Sequence, residues 1–360
     1  MSQEKLRPLQ IAMLFHNTQV GVVLFILPRT IAIHFGTNGW VILPIMFVIV
    51  TLNIVLINSV YRLGGGASVF TILKSGLPRF LLIPLYFVIG CALAMVGCLV
   101  VKQYSLMYQM LIFPQTPDML LKLVIDILVF LLVTKGIYNM SKANVFFLTL
   151  TLLMIPFAFE IFKSFDPVRM TPFFFQEGKD MGRGLLKVFS AFMGYELAIF
   201  LFPYAESGKR WLKYLHFSNA FTAIIYLLVT ILCYGFFSYK ELTHLSFPLL
   251  EMFGYLHFPF AERVQNFLFS FFLLSILNTS AMYYWSSQTV FKEILPKLNW
   301  KWITFILLAA TFAVSYIPKA LIVVEQWFDV VTYFQMGVAV LLPLLALLAL
   351  LLRKGKKVHA

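Results

Sequence analysis

Ten runs of apolar residues, separated by short polar or charged segments, follow one another at about 9–34, 38–61, 80–113, 119–136, 143–163, 185–204, 212–239, 264–290, 303–318 and 328–352. A helix needs about 20 predominantly apolar residues to cross the hydrocarbon of a bilayer, so the pattern predicts an all-α integral membrane protein with ten transmembrane helices. The third and eighth runs are long enough to tilt or project past the bilayer, and the fourth and ninth are short. Two runs are interrupted in the middle. Asn17-Thr18-Gln19-Val20-Gly21 breaks the first ahead of Pro28-Arg29, and Gly194-Tyr195-Glu196 breaks the sixth ahead of Pro203. Backbone groups freed inside a bilayer find no water, so such breaks persist only where protein or ligand satisfies them. Interruptions in corresponding positions of two halves point to the binding site of a transporter fold.

Ten spans divide five and five, each half opening on its broken span. An odd number per half makes the second half enter from the opposite side, which predicts a 5+5 inverted repeat with helices 1 and 6 broken. The repeats cover about 9–163 and 185–352 within one polytopic domain, 1–360. Gly21 and Gly194 are then expected to face each other near the middle of the membrane. Three connections are long: an inner loop at 62–79 with Gly64-Gly65-Gly66, an outer loop at 164–184 joining the halves, and an outer segment at 240–263. Within the last, Leu249, Leu250, Phe253 and Leu256 recur at helical spacing and predict a short interfacial helix.

Composition agrees with the pattern: 61% of residues are hydrophobic and 12% charged, and the mean hydropathy is +0.88. No single aqueous core buries that much apolar surface. With the N-terminus inside, the Lys and Arg tally is 17 on inner segments against 9 on outer ones, which places both termini in the cytoplasm. The net charge of +13 reads as this bias plus a basic tail, Arg353 to Lys357, against anionic lipid; no soluble face is available for nucleic acid. Cys91, Cys98 and Cys233 lie in apolar runs as packing residues, and the His residues are isolated, so no metal site is expected. Polar Met1 to Pro8 leads into the first run without a small-residue cleavage site, and the first helix is expected to be retained. Trp40, Trp211, Trp300, Trp302 and Trp327 near span ends predict an aromatic belt.

The candidate chemistry lies at the breaks. Gly21 lets backbone approach a ligand, and a half-helix starting there aims free N–H groups at an anion such as a carboxylate. Asn17, Thr18 and Gln19 supply polarity beside it. Glu196 is a mid-span carboxylate costing about 2.5 to 3.5 kcal/mol on insertion scales. It either titrates, accepts a hydrogen bond from the opposite broken helix, pairs with Lys102 or Arg29, or pins its own break. Lys102 is either a coupling cation or a lysine snorkelling to the interface. Asn278 and Thr279, with Ser275 and Ser280, are either cation ligands against freed carbonyls of the first span or interhelical hydrogen-bond partners. Lys122 with Asp126 and Glu160 with Lys163 have the spacing of intrahelical pairs. No hydrolytic or nucleotide-binding motif occurs, so neither an enzyme nor a cofactor is expected.

Asn17-Thr18-x-x-Gly21-x-x-Leu24-x-x-Leu27-Pro28-Arg29, Gly39-Trp40, Phe192-x-Gly194-x-Glu196-x-x-x-Phe200-Leu201-x-Pro203, Ala261-Glu262-Arg263 and the basic tail together resemble the B-type, permease-like subunit of bacterial spore germinant receptors. That family is a branch of the amino acid/polyamine/organocation superfamily. The resemblance spans essentially the whole chain. It implies a LeuT-like fold in the spore inner membrane, an A-type membrane subunit and a C-type lipoprotein as partners, and a small nutrient, commonly an amino acid, as ligand. Carried onto matching positions, it implies Thr18, Gly21, Gly194 and Glu196 in the pocket, with Tyr195 by adjacency. Val22 and Val23 follow Gly21 where many relatives keep another small residue. The leading expectation is a nutrient sensor; an ion-coupled amino acid transporter uses the same pocket, and an ion-conducting or scaffold subunit is the third reading.

Overall fold

A computed structural model describes residues 5–152, 155–205, 210–256 and 264–358. Among these the chain is helical throughout, the only strand-like pairing being an isolated parallel bridge between Leu6 and Ala205. The helices are α1 (Pro8–Gln19), α2 (Val23–Phe35), α3 (Ile42–Leu63), α4 (Val69–Gly76), α5 (Arg79–Leu111), α6 (Asp118–Val133), α7 (Gly136–Leu152), α8 (Ile155–Phe162), α9 (Met181–Ala191), α10 (Arg210–Phe236), α11 (Tyr239–His244), α12 (Pro248–Gly254), α13 (Val264–Ile294), α14 (Trp300–Val314) and α15 (Leu321–Val358), with a 3-10 stretch, Tyr195–Tyr204, after α9.

Six segments are long and apolar enough to cross a membrane: Gly39–Leu63, Arg79–Leu111, Met181–Tyr204, Trp211–Phe236, Gln265–Ile294 and Leu321–Leu352. The pair α1 and α2, bent by 56°, is a seventh. The protein is therefore a multi-pass membrane protein. Each apolar run carries helix among the described residues, but α6 and α14 have 16 and 15 residues, short of the roughly 20 that cross hydrocarbon upright. Their ends are set by local chemistry. Pro117 precedes α6 with ψ 132°, outside helical geometry, and the Asn299 side chain accepts the Lys301 amide at 3.1 Å to start α14, an N-cap bond.

The broken segments lie at the centre. α1 packs on α10, α7 and α13, and α2 packs on α9, while α5 and α13 lie along each other as the most extensive helix pair. Gly97 permits that approach, since a Cβ there would sit 3.3 Å from the Ser280 carbonyl oxygen and 3.1 Å from the Tyr284 ring. α15 closes the assembly against α5, α4 and α3. At one end Leu6, fully buried, donates its amide to the Tyr204 carbonyl at 2.9 Å, tying the segment before α1 to the end of the 3-10 stretch.

Two sequence expectations change, at the 62–79 loop and at Trp211. The 62–79 loop contains α4, whose Val69, Phe70, Ile72 and Leu73 are buried and which packs on α15; eight residues are too few to register as an apolar run. The short helix expected at Leu249 to Leu256 forms as α12, with Leu249, Leu250 and Phe253 buried and the helix against α2 and α13; residues 257–263, including Ala261-Glu262-Arg263, lie outside the described set. Trp211 is no belt residue. It is wholly buried, edge-on to Tyr61 and Phe202 at centroid distances of 5.0 and 5.9 Å, because α10 begins against α3 and the 3-10 stretch. The side chains of the tail 353–357 also lie outside the described residues. The expected pairs Lys122–Asp126 and Glu160–Lys163 both form. Trp211→Ala is expected to destabilise the protein by about 3 kcal/mol through the cavity it leaves, read as a lower Tm in detergent.

Candidate ligand-binding site

The first break opens where α1 ends at Gln19, and Val20 to Val22 carry the chain to α2. Neighbouring hydroxyls take up its released carbonyls. Ser275 Oγ lies 2.6 Å from the Val20 carbonyl, 3.2 Å from that of Asn17 and 2.7 Å from Asn17 Oδ1, so its one proton is shared among three acceptors. Thr279 Oγ1 is 3.2 Å from each of the Asn17 and Thr18 carbonyls. Tyr226 Oη lies 2.7 Å from the Gln19 carbonyl and 2.8 Å from that of Ala191, at the other break. Gln19 Nε2 adds a bond to the Phe192 carbonyl at 2.8 Å. Asn17 Nδ2 donates to Asn144 Oδ1 at 2.6 Å, and Asn278 Nδ2 to Thr18 Oγ1 at 3.1 Å.

The second break is a change of winding. Met181–Tyr204 remains one span, but Gly194 has φ +121° and the chain passes from α to 3-10 helix there. Glu196 pins that turn: its Oε2 accepts the Gly194 amide at 2.6 Å, and its Oε1 accepts from Tyr283 Oη at 3.1 Å and Gln335 Nε2 at 3.5 Å. Neither Lys102 nor Arg29 pairs with it. Lys102 instead reaches from α5 to Asp118 at the start of α6, held there because both lie toward the same end of the bundle.

The breaks touch, though not through their glycines. A Cβ on Gly194 would meet Thr18 Cγ2 at 3.1 Å and the Gln19 amide nitrogen at 3.3 Å, whereas Gly21 faces Thr279 Oγ1 at 3.8 Å. The bend between α1 and α2 turns Gly21 away from α9 and toward α13.

Beside Gly21 a cavity opens, with about 110 Å³ available to the centres of water-sized molecules. Thr18, Gln19, Gly21, Val22 and Val23 form its floor, Val96, Val100 and Gln103 of α5 one wall, and Tyr283 and Thr279 of α13 another; Ser190, Ala191, Met193, Phe328 and Thr332 complete it. Lys187, Glu325 and Asp329 line its mouth, where Lys187 Nζ is 3.2 Å and an Arg183 nitrogen 3.7 Å from Asp329 Oδ2. The amides of Val22 and Val23, at the N-terminus of α2, donate to no group among the described residues, and such a terminus favours an anion.

Of the residues singled out in the sequence, Thr18, Gln19, Gly21 and Thr279 line the cavity. Asn17, Asn278, Gly194, Tyr195, Glu196 and Lys102 do not: the first two hold the break from behind, Glu196 sits beyond Tyr283, and Lys102 lies in the α5–α6 seam. Sequence reasoning missed Tyr283 and the ionic mouth. Tyr283 sits in an aromatic, Ser-rich helix with nothing to distinguish it, and Lys187, Glu325 and Asp329 read as ordinary charges near span ends. Among the described residues no group of three or more His, Cys, Asp or Glu side chains could hold a metal ion.

A family model described as "Spore germination protein" matches residues 5–324. Spore germination protein GerQB of Bacillus cereus is 22% identical over 314 residues, covering 86% of this chain and 85% of that protein. Spore germination protein A2 of Bacillus subtilis (strain 168) is 24% identical over 283 residues, 78% of each. Among solved structures, Mhp1, a nucleobase-cation-symport-1 family transporter in a closed conformation with bromovinylhydantoin bound, superposes with a TM-score of 0.60 at 13% identity, over 92% of this chain and 75% of its own. At that identity the likeness concerns the fold alone. Gly194→Ala is expected to cost about 1 to 3 kcal/mol, from a side chain forced into positive φ against Thr18, and to lower the midpoint of denaturant unfolding.

Proposed function

Because the chain belongs to the spore germination protein family, we propose that it is the permease-like, nutrient-sensing subunit of a germinant receptor, binding a small zwitterion, an amino acid, in the cavity beside Gly21. The observation that carries this reading is that Val22 and Val23, whose amides donate to no group among the described residues, line a cavity at the first break. A carboxylate there meets two donors and the positive end of the α2 dipole. Thr18, Gln19, Gln103 and Tyr283 offer polar groups to the ammonium, and Val96, Val100, Met193 and Phe328 an apolar wall to a side chain. The mouth salt bridges set the charge seen by an approaching ligand.

The assembly follows the same reading. Ten spans in two inverted repeats, about 9–163 and 185–352 of one domain, place both termini in the cytoplasm, so the cavity mouth faces away from it, in the spore inner membrane. The Leu6–Ala205 pairing closes the opposite end. The ligand acts by preferring one arrangement of the breaks over another, and it shifts that equilibrium only by its differential affinity. Tyr283 joins cavity to core, since it lines the first and donates to Glu196. An A-type membrane subunit and a C-type lipoprotein then receive the change.

Ion-coupled transport is the second reading, favoured by one observation: the oxygens of Ser275 and Thr279 converge with the Asn17, Thr18 and Val20 carbonyls, a donor set of the hard type that suits an alkali cation. Flux separates the two. A sensor in liposomes binds labelled amino acid without accumulating it, whereas a transporter accumulates it down an imposed ion gradient. Gly21→Leu is expected to fill the cavity and weaken amino acid binding by at least about tenfold, near 1.4 kcal/mol, with unfolding unchanged; retained affinity would remove the cavity as the site. Tyr283→Phe is expected to leave binding within about fivefold, as one hydrogen bond is worth about 1 kcal/mol, while the germination response of spores carrying it falls.

A further inference from the structure

Away from the cavity, α5 and α6 bury four charged side chains against each other. Cys98 and Lys102 share one face of α5, four residues apart, and Asp118, Lys122 and Asp126 share one face of α6 at the same spacing. Lys102 pairs with Asp118 and Lys122 with Asp126. The side chains of Lys102 and Lys122 are 2% and 0% exposed, that of Asp126 is 7% and that of Asp118 is 21%, so Asp118 is the member that reaches the surface. None of the four lines the cavity at the break.

The seam is costlier than packing requires. Buried ion pairs are often matched or bettered in stability by apolar residues of the same volume, and charged groups within a membrane bundle mark ion or proton pathways by default. One atom is also left over: Asp126 Oδ1 is buried without a hydrogen-bond partner, while Lys122 keeps Oδ2. A metal ion finds no shell here. Beyond the carboxylates, Lys102 Nζ meets Met119 Sδ at 3.2 Å and Lys122 Nζ lies 5.2 Å from the centre of the Phe312 ring. A proton needs no such shell.

We propose that the α5–α6 seam is a proton-binding site, separate from the ligand cavity, filled from the bundle surface at Asp118 and ending on Asp126. Lys122 hands an ammonium proton to Asp126, turning the carboxylate into a carboxyl, and regains one from Asp118, one turn away on the same face. Asp118 has that proton to give because it first takes one from hydronium, leaving water, and on giving it up it returns to the carboxylate that Lys102 holds. One proton is gained overall, only N–H and O–H bonds change, and both lysines end charged. Cys98 of α5 and Tyr284 of α13 face Asp126 from neighbouring elements; around them, Thr311 of α14 bonds Tyr284, the Phe312 ring lies under Lys122, Ser315 meets Met119, and Lys102 stays with Asp118. α7, also packed on α6, carries Tyr138 and Lys142, which stack on each other at 4.2 Å.

The test is infrared difference spectroscopy of the purified protein in lipid nanodiscs, between acidic and neutral pH. Wild-type protein is expected to show a carboxyl C=O band on acidification that is lost in Asp126→Asn, displaced in Asp126→Glu and kept in Glu196→Gln and Glu325→Gln. After a pH jump, Asp118→Asn is expected to slow the rise of that band about tenfold, as a purely structural pair would not. Identical wild-type and Asp126→Asn spectra, or a rise as fast in Asp118→Asn as in wild type, overturn the proposal. Should Asp126→Asn fail to fold, an undisplaced band in Asp126→Glu overturns it equally.

Discussion

The structure depends on hydroxyl groups that stand in for water at the break between α1 and α2. Inside a bilayer each unsatisfied backbone group costs several kcal/mol, and a 56° bend releases several at once. Ser275, Thr279 and Tyr226 return hydrogen bonds to the carbonyls of Asn17, Thr18, Gln19 and Val20. On the α2 side, no acceptor among the described residues meets the amides of Val22 and Val23. The break is thus satisfied on its carbonyl side by protein and left open on its amide side, and the proposed seat for an anionic group rests on that asymmetry.

The same requirement explains why the interior is so polar for a membrane bundle. α10 turns Asn219 and Thr222 toward α1 and α3: Thr222 Oγ1 lies 3.0 Å from Gln19 Oε1 and 2.9 Å from His16 Nδ1, and Asn219 Nδ2 donates to Thr51 Oγ1 at 3.2 Å. Such bonds between membrane helices average well under 2 kcal/mol each. Their use here is positional, since they fix the rotation of α1 and with it the direction in which Gly21 looks. Glu196 does the corresponding work at the other break by folding back on the Gly194 amide.

The helices were legible because membrane burial needs only length and apolarity, both read directly from composition along the chain. Gly21 and Gly194 were legible as break points because polar residues beside a glycine are costly in an apolar run unless the helix opens there and uses them. What the sequence withheld was partnership. Nothing in the spacing of Glu196 distinguishes a bond to its own turn from a pair with Lys102, because that choice depends on how the helices rotate about their axes. Lys102 finds Asp118 because the end of α5 and the start of α6 are joined by a short turn, and Trp211 disappears into the core because α10 starts behind Tyr61. α4 was invisible for a simpler reason: its eight residues cannot span anything and gain their stability from α15.

α13 carries these threads in adjacent residues. Tyr283 faces the cavity and Glu196, while Tyr284, the next residue, turns about 100° around the helix and meets Thr311 of α14 at 2.6 Å, beside the α5–α6 seam. One turn earlier, Thr279 holds the Thr18 carbonyl and Ser280 donates to the Gly97 carbonyl of α5 at 3.0 Å. A rotation or shift of α13 that changes the break therefore changes its contacts with α5 and α14 at the same time. Packed interfaces of this kind have discrete arrangements and do not deform continuously. On the proposed reading, a ligand against Thr279 and Tyr283 and a proton in the charged seam act on α13 from opposite sides, and by linkage each then changes the affinity for the other by the same factor.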